Sequence, residues 1–100
     1  MARWADWVIT AVRYDPEDSH IEYVQARRHK GDTLGEPTRQ SRATVVAGIG
    51  SGQTYVTAYR SDGKWRKGED VRIIRVSGRE YLRTDSNHTP ADNLGSLDSF

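Results

Sequence analysis

Aromatic rings interleaved with cations are the side chains of this chain best suited to chemistry: Tyr55, Tyr59, Arg60, Lys64, Trp65, Arg66, Lys67, Arg72, Tyr81 and Arg83, with Arg79 among them. Platforms of this kind bind single-stranded nucleic acid. Rings stack bases, each contributing about 1–3 kcal/mol, while cations track the phosphates. The same residues also admit a purely structural reading. Tyr and Trp form strands well, Trp65 can cap a core, and Lys and Arg on edge strands discourage aggregation.

Other constellations are weaker. The run Gly48-Ile49-Gly50-Ser51-Gly52 closes a helix instead of opening one, whereas a phosphate loop needs free amides at a helix start. It reads as a C-terminal cap. His20, His29 and His88 are far apart and lack ligand-spaced partners, so no metal site is indicated. Asp85, Asn87 and Thr89 alternate like the start of a calcium loop, but Pro90 stands where Gly is needed and Ser96 where a bidentate Glu is needed. Ser51 lacks the frame of a nucleophile elbow. No pair of carboxylates is singled out for acid–base catalysis. No residue is assigned a catalytic role, and no cofactor is expected.

The elements that must position the rings and cations follow from periodicity. The strongest stretch is 54–84, read as strands at 54–60, 71–76 and 79–84, with 61–63 turning the first into Lys64-Trp65-Arg66 and a further turn at 67–70. Only Ser77-Gly78 separates the last two strands, which is the length of a tight hairpin link. That link pairs Val76 with Arg79, Ile74 with Tyr81, Ile73 with Leu82 and Arg72 with Arg83. One hairpin face then carries Val71, Ile73 and Leu82 with Arg75 opposite Glu80. The other carries Arg72, Ile74, Arg79, Tyr81 and Arg83, where facing arginines suit solvent, a carboxylate or an anionic partner.

Upstream, 4–14 reads as a strand with Trp7, Ile9 and Ala11 on one side and Val8, Thr10, Val12 and Tyr14 on the other. A turn at 15–19 joins it to a strand at about 20–28, followed by a structureless polar loop over 31–40. Ser41 suits a helix N-cap, and Val45, Val46 and Ile49 form the apolar stripe of a helix over about 41–50. In the tail, Thr89-Pro90 with Asp92 suits one helical turn, and Leu94, Leu97 and Phe100 can dock on the sheet.

The expectation is a single α+β domain over 1–84: a mostly antiparallel sheet of about five strands in the order β-β-α-β-β-β, followed by a docked tail over 85–100. The sequence has 100 residues, 35% of them hydrophobic, with 15 basic and 14 acidic side chains and a net charge of +1. A chain of that length buries roughly 60 to 65% of its unfolded surface. Near-neutral charge argues against a condenser of nucleic acid and leaves electrostatic function to local patches. The absence of cysteine excludes disulfides and thiolate chemistry. No apolar run approaches the roughly 18 residues of a membrane span and no signal peptide is evident, so a cytoplasmic location without membrane contact is expected.

The pattern resembles a family of small, largely bacterial proteins classed as a domain of unknown function. The resemblance rests on Ser41-Arg42 with Val45, Val46, Ile49 and Gly52, on Tyr55 and Thr57, on Trp65 with Gly68 and Val71, and on Tyr81-Leu82-Arg83-Thr84. It continues through Asn87, Asp92-Asn93-Leu94 and Leu97, and the strand around Ile9 and Val12 is similar too. It implies the fold boundaries and carries no activity or ligand.

Two function classes are consistent with these residues. One is a non-enzymatic module that engages nucleic acid or a nucleotide-like ligand, with Arg72, Tyr81 and Arg83 at its centre and Arg60, Lys64, Trp65, Arg66, Lys67 and Arg79 around them. The alternative is a protein-interaction module, such as a phage or mobile-element inhibitor that covers a host protein or sequesters its ligand. Homodimerisation through a sheet edge is a third option.

Overall fold

A computed structural model describes residues 4–15, 20–30, 33–84, 92, 94 and 97–99. The expected helical turn around Thr89-Pro90, most of the 15–19 turn and Phe100 lie outside the described residues. Among the described residues the order is β1 (Trp7–Tyr14), β2 (Ile21–Lys30), β3 (Thr33–Leu34), β4 (Thr38–Ser41), α1 (Arg42–Gly50), β5 (Tyr55–Ser61), β6 (Lys64–Asp70), β7 (Arg72–Val76), β8 (Arg79–Arg83) and β9 (Asp98–Ser99). The architecture is α+β. A mixed sheet runs β3-β2-β1-β5-β6, with β4 also on β2 and β9 on β1, and β7-β8 form a sheet of their own.

The β7-β8 hairpin has the register its turn dictates, including Arg72 opposite Arg83 and Ile73 opposite Leu82. Ser77 (φ 52°) and Gly78 (φ 79°) both take positive φ, as a two-residue turn matched to strand twist requires. Arg75 and Glu80 form the ion pair expected at its end, at 3.5 Å. Ser41 caps α1, its hydroxyl accepting from the Thr44 N–H at 3.2 Å. Val45 is buried, with Val46 and Ile49 packed at its side.

Three expectations need correction. The loop expected over 31–40 contains strands at 33–34 and 38–40, because the outer edge of β2 offers unpaired backbone groups that β3 and β4 satisfy: His29 pairs with Leu34, and Gln25 with Arg39. The 67–70 turn is instead part of β6. Two residues of β6 oppose one of β5 between Val56 and Ala58, so the chain bulges and continues, and the Glu69 N–H donates to Thr57 Oγ1 at 3.0 Å. The third correction concerns β1, where a shift between Ile9 and Ala11 rotates the remainder of the strand. Val12 and Tyr14 thereby join Ile9, not Val8.

Gly68 sits at the β6 bulge against Thr57, where a Cβ would collide with the Thr57 side chain and approach its carbonyl oxygen to 3.1 Å. Backbone cannot yield as a side-chain end can. Gly68→Ala is expected to cost about 1–3 kcal/mol by overpacking, read as a lower urea midpoint with unchanged slope.

The sheet separates two apolar clusters. Ile9, Val12, Val24 and Tyr55 lie on one face with Val45 of α1, Val71 and Leu82 of the hairpin region, and Leu94. Helix and hairpin therefore cover the same face. The opposite face holds a shallower cluster, Ala5, Val8, Val56 and Ala58, flanked by Trp4, Leu34 and Trp65. No helix lies over it among the described residues.

Candidate nucleic-acid interface

Strand register determines what the helix-free face presents, because directly paired residues point to the same side. Val8 belongs to that face and pairs with Arg27 and Val56. Ala11 pairs with Gln25, which pairs with Arg39, and Arg13 pairs with Tyr23. On the other flank Ala58 pairs with Lys67, Arg60 with Trp65, and Val56 with Asp70. The face thus carries Arg13, Arg27, Arg39, Arg60 and Lys67 together with Tyr23 and Trp65, against Asp70.

Side-chain contacts agree with the register. The Arg27 guanidinium lies 5.3 Å and that of Arg60 4.8 Å from the Trp65 ring centroid, so strands β2 and β5 both bring a cation onto one indole. Arg27 is further held by Thr10 Oγ1 at 3.4 Å and the Gly35 carbonyl at 3.2 Å. Arg39 lies 4.5 Å from the Tyr23 centroid. Small residues make this possible. Val8, Val56, Ala58 and Ala11 form a buried, low floor on which the long stems of Arg27 and Arg60 can reach the Trp65 ring.

The site residues expected from the sequence divide between two places. Arg60, Trp65 and Lys67 lie on the helix-free face. Arg66 pairs with Tyr59 on the opposite side, and Lys64 sits at the β5-β6 turn, lining a cavity with Trp4 and Trp65. The hairpin residues are elsewhere: Arg72 and Arg79 are exposed, but Tyr81 and Arg83 are each only 5% exposed. Tyr81 packs against the His20 ring at 5.7 Å between centroids. Arg13, Tyr23, Arg27 and Arg39 were missed, although alternation of Tyr23, Gln25 and Arg27 with Val24 and Ala26 in β2 carried the signal.

The helix-covered face has its own polar features. Arg28 stacks on Trp7 at 4.1 Å, and Trp7 on Tyr55 at 6.3 Å. Burial pushes the Tyr55 phenol above its usual pKa, partly countered by Arg28, and its hydroxyl donates to Gln40 Oε1 at 2.8 Å. An open hollow of about 620 Å³ is lined from both faces, by Trp7 and Arg28 on this one and by Arg27 and Leu34 on the other, with Glu36 and Pro37 also at its border. At the far end, Asp92 is buried. Its carboxylate accepts from the backbone N–H groups of Ile21 (2.7 Å) and Leu82 (2.8 Å) and from Arg42 Nε (2.7 Å) and Nη2 (3.1 Å). Arg42 also donates to the Glu80 carbonyl. The Asp92 hydrogen bond holds the Arg42 guanidinium above its ordinary pKa despite partial desolvation.

Fold and face together define a small α+β domain with helix and hairpin on one side of a mixed sheet and a cationic, aromatic layer on the other. The chain belongs to the family described as "Protein of unknown function (DUF3892)", whose model matches residues 8–98. No curated protein and no solved structure matches it. Among the described residues no helix is long and apolar enough to cross a membrane.

Proposed function

We propose that this domain is a non-enzymatic binding module that engages single-stranded nucleic acid, or a nucleotide-like anion, on the helix-free face of its sheet. The observation that carries the reading is the convergence of Arg27 and Arg60 on Trp65. Guanidinium planes and indoles both stack on bases, and the Arg60 guanidinium and the Nη2 group of Arg27, whose Nε and Nη1 serve Thr10 and Gly35, donate to phosphate. Arg13, Arg39 and Lys67 extend positive charge along the strands, which suits a chain of phosphates better than a single anion. Arg60, Trp65 and Lys67 lie on this face, while burial makes Tyr81 and Arg83 poor contact residues.

The test is tryptophan fluorescence titration with mixed single-stranded oligonucleotides at roughly 50 and 200 mM salt. Four or five phosphate contacts predict binding roughly 50- to 130-fold weaker at the higher salt. No binding at the lower salt overturns the reading. A complex with a protein that survives nuclease treatment would then favour the interaction-module alternative.

A further inference from the structure

At one end of the basic face a cavity of about 460 Å³ opens between Trp4 and Trp65, bordered by His29, Thr33, Leu34, Gly63 and Lys64. That volume falls within the roughly 300–1,000 Å³ of small-ligand clefts. Its walls combine two indoles with Leu34, and a flexible ammonium stands at the rim. His29 supplies direction. It is only 5% exposed, and its Nδ1 accepts the Trp4 backbone N–H at 2.7 Å. A neutral imidazole that accepts at Nδ1 carries its proton on Nε2. Nε2 meets no hydrogen-bond partner among the described residues, yet no buried side-chain nitrogen or oxygen there is left without one. The donor is therefore not sealed in protein, and His29 is one of the residues that line the cavity.

We propose that this cavity receives one unstacked base of a bound single strand, with the His29 Nε2–H donating to a ring nitrogen or carbonyl of the base and Lys64 meeting the adjoining phosphate. The inference rests on the nucleic-acid reading of the sheet face and adds to it a subsite that recognises a base. Every nucleobase presents an acceptor on its edge and an apolar face, so aromatic walls with a single directional donor match the ligand. The position matches as well. Trp65 is shared by the cavity and the Arg27–Arg60 stack, so a strand whose phosphates track those arginines brings its next base to the opening.

The experiment compares an oligonucleotide with an abasic sugar–phosphate strand of the same length and charge, titrated against the wild-type protein at about 50 mM salt, where phosphate contacts are least screened. The abasic strand is expected to bind at least about tenfold more weakly, the contribution of one well-stacked base. Thr33→Tyr, which fills the cavity from an exposed position and leaves every cation in place, is expected to lower oligonucleotide affinity toward the abasic level. Equal affinity for both strands, or an oligonucleotide affinity unchanged in folded Thr33→Tyr, overturns the base subsite while leaving the phosphate-binding face standing. Failure of both strands to bind overturns the subsite and the face together.

Discussion

Asp92→Ala is expected to lower stability by about 3–5 kcal/mol, the range seen when one partner of a buried ion pair is removed. The wild-type carboxylate is fully buried and serves two backbone N–H groups, Ile21 at the start of β2 and Leu82 in β8, besides the Arg42 guanidinium. Alanine leaves the two backbone donors without an acceptor in a region closed to bulk water, and leaves Arg42 only the Glu80 carbonyl and solvent. Each orphaned donor adds its own desolvation cost. A domain of this size has about 5–15 kcal/mol in total, so the variant approaches its unfolding threshold and its Tm falls by roughly 15 °C or more. Thermal and urea unfolding monitored by circular dichroism measure the effect. A loss below about 1 kcal/mol would mean that the tail carboxylate is replaceable by solvent. Arg42→Met should cost less than Asp92→Ala, because Arg42 retains 28% side-chain exposure and its removal leaves Asp92 its two backbone donors.

The second large effect concerns binding. Replacing Arg27 and Arg60 together by Ala removes both guanidiniums from Trp65, and oligonucleotide affinity at low salt is expected to fall about 10- to 50-fold. The dependence of log affinity on log salt should become shallower by about 1.4, since each single-strand phosphate contact contributes about 0.7. That change in slope separates a phosphate contact from a general loosening of the face. Arg72→Ala with Arg79→Ala removes the same formal charge from the hairpin on the other side of the molecule. If the two double variants weaken binding equally, net charge governs the interaction, not the helix-free face. Arg27 also bonds Thr10 and the Gly35 carbonyl, so circular dichroism of the variant must match the wild type before affinities are compared.

Much of the local structure was legible in the chain itself. Ser77-Gly78 sets the β7-β8 register because a two-residue turn leaves no freedom of pairing, and Ser41 marks the start of α1 because its side chain satisfies an amide that the helix cannot. The α+β class arises from the same short-range signals. Which residues share the helix-free face was not legible, because it depends on contacts between segments far apart in sequence. The bulges at Ile9/Ala11 and Val56/Ala58 reverse alternation in ways that period-two reading does not register, and Val12 changes sides as a result. The strands β3 and β4 form only because β2 lends them an edge; their own residues, Thr33-Leu34 and Thr38–Ser41, carry little strand signal. Nothing local to Asp92 in the sequence showed that packing would make it the acceptor for three other segments. The amino-acid order by itself determined turns, caps and the alternation of individual strands, which arise within a few residues. The tertiary structure alone decided that helix and hairpin cover the same side of the sheet. That choice buries Tyr81 and Arg83 and leaves Arg27, Arg60 and Trp65 together on the side without a helix.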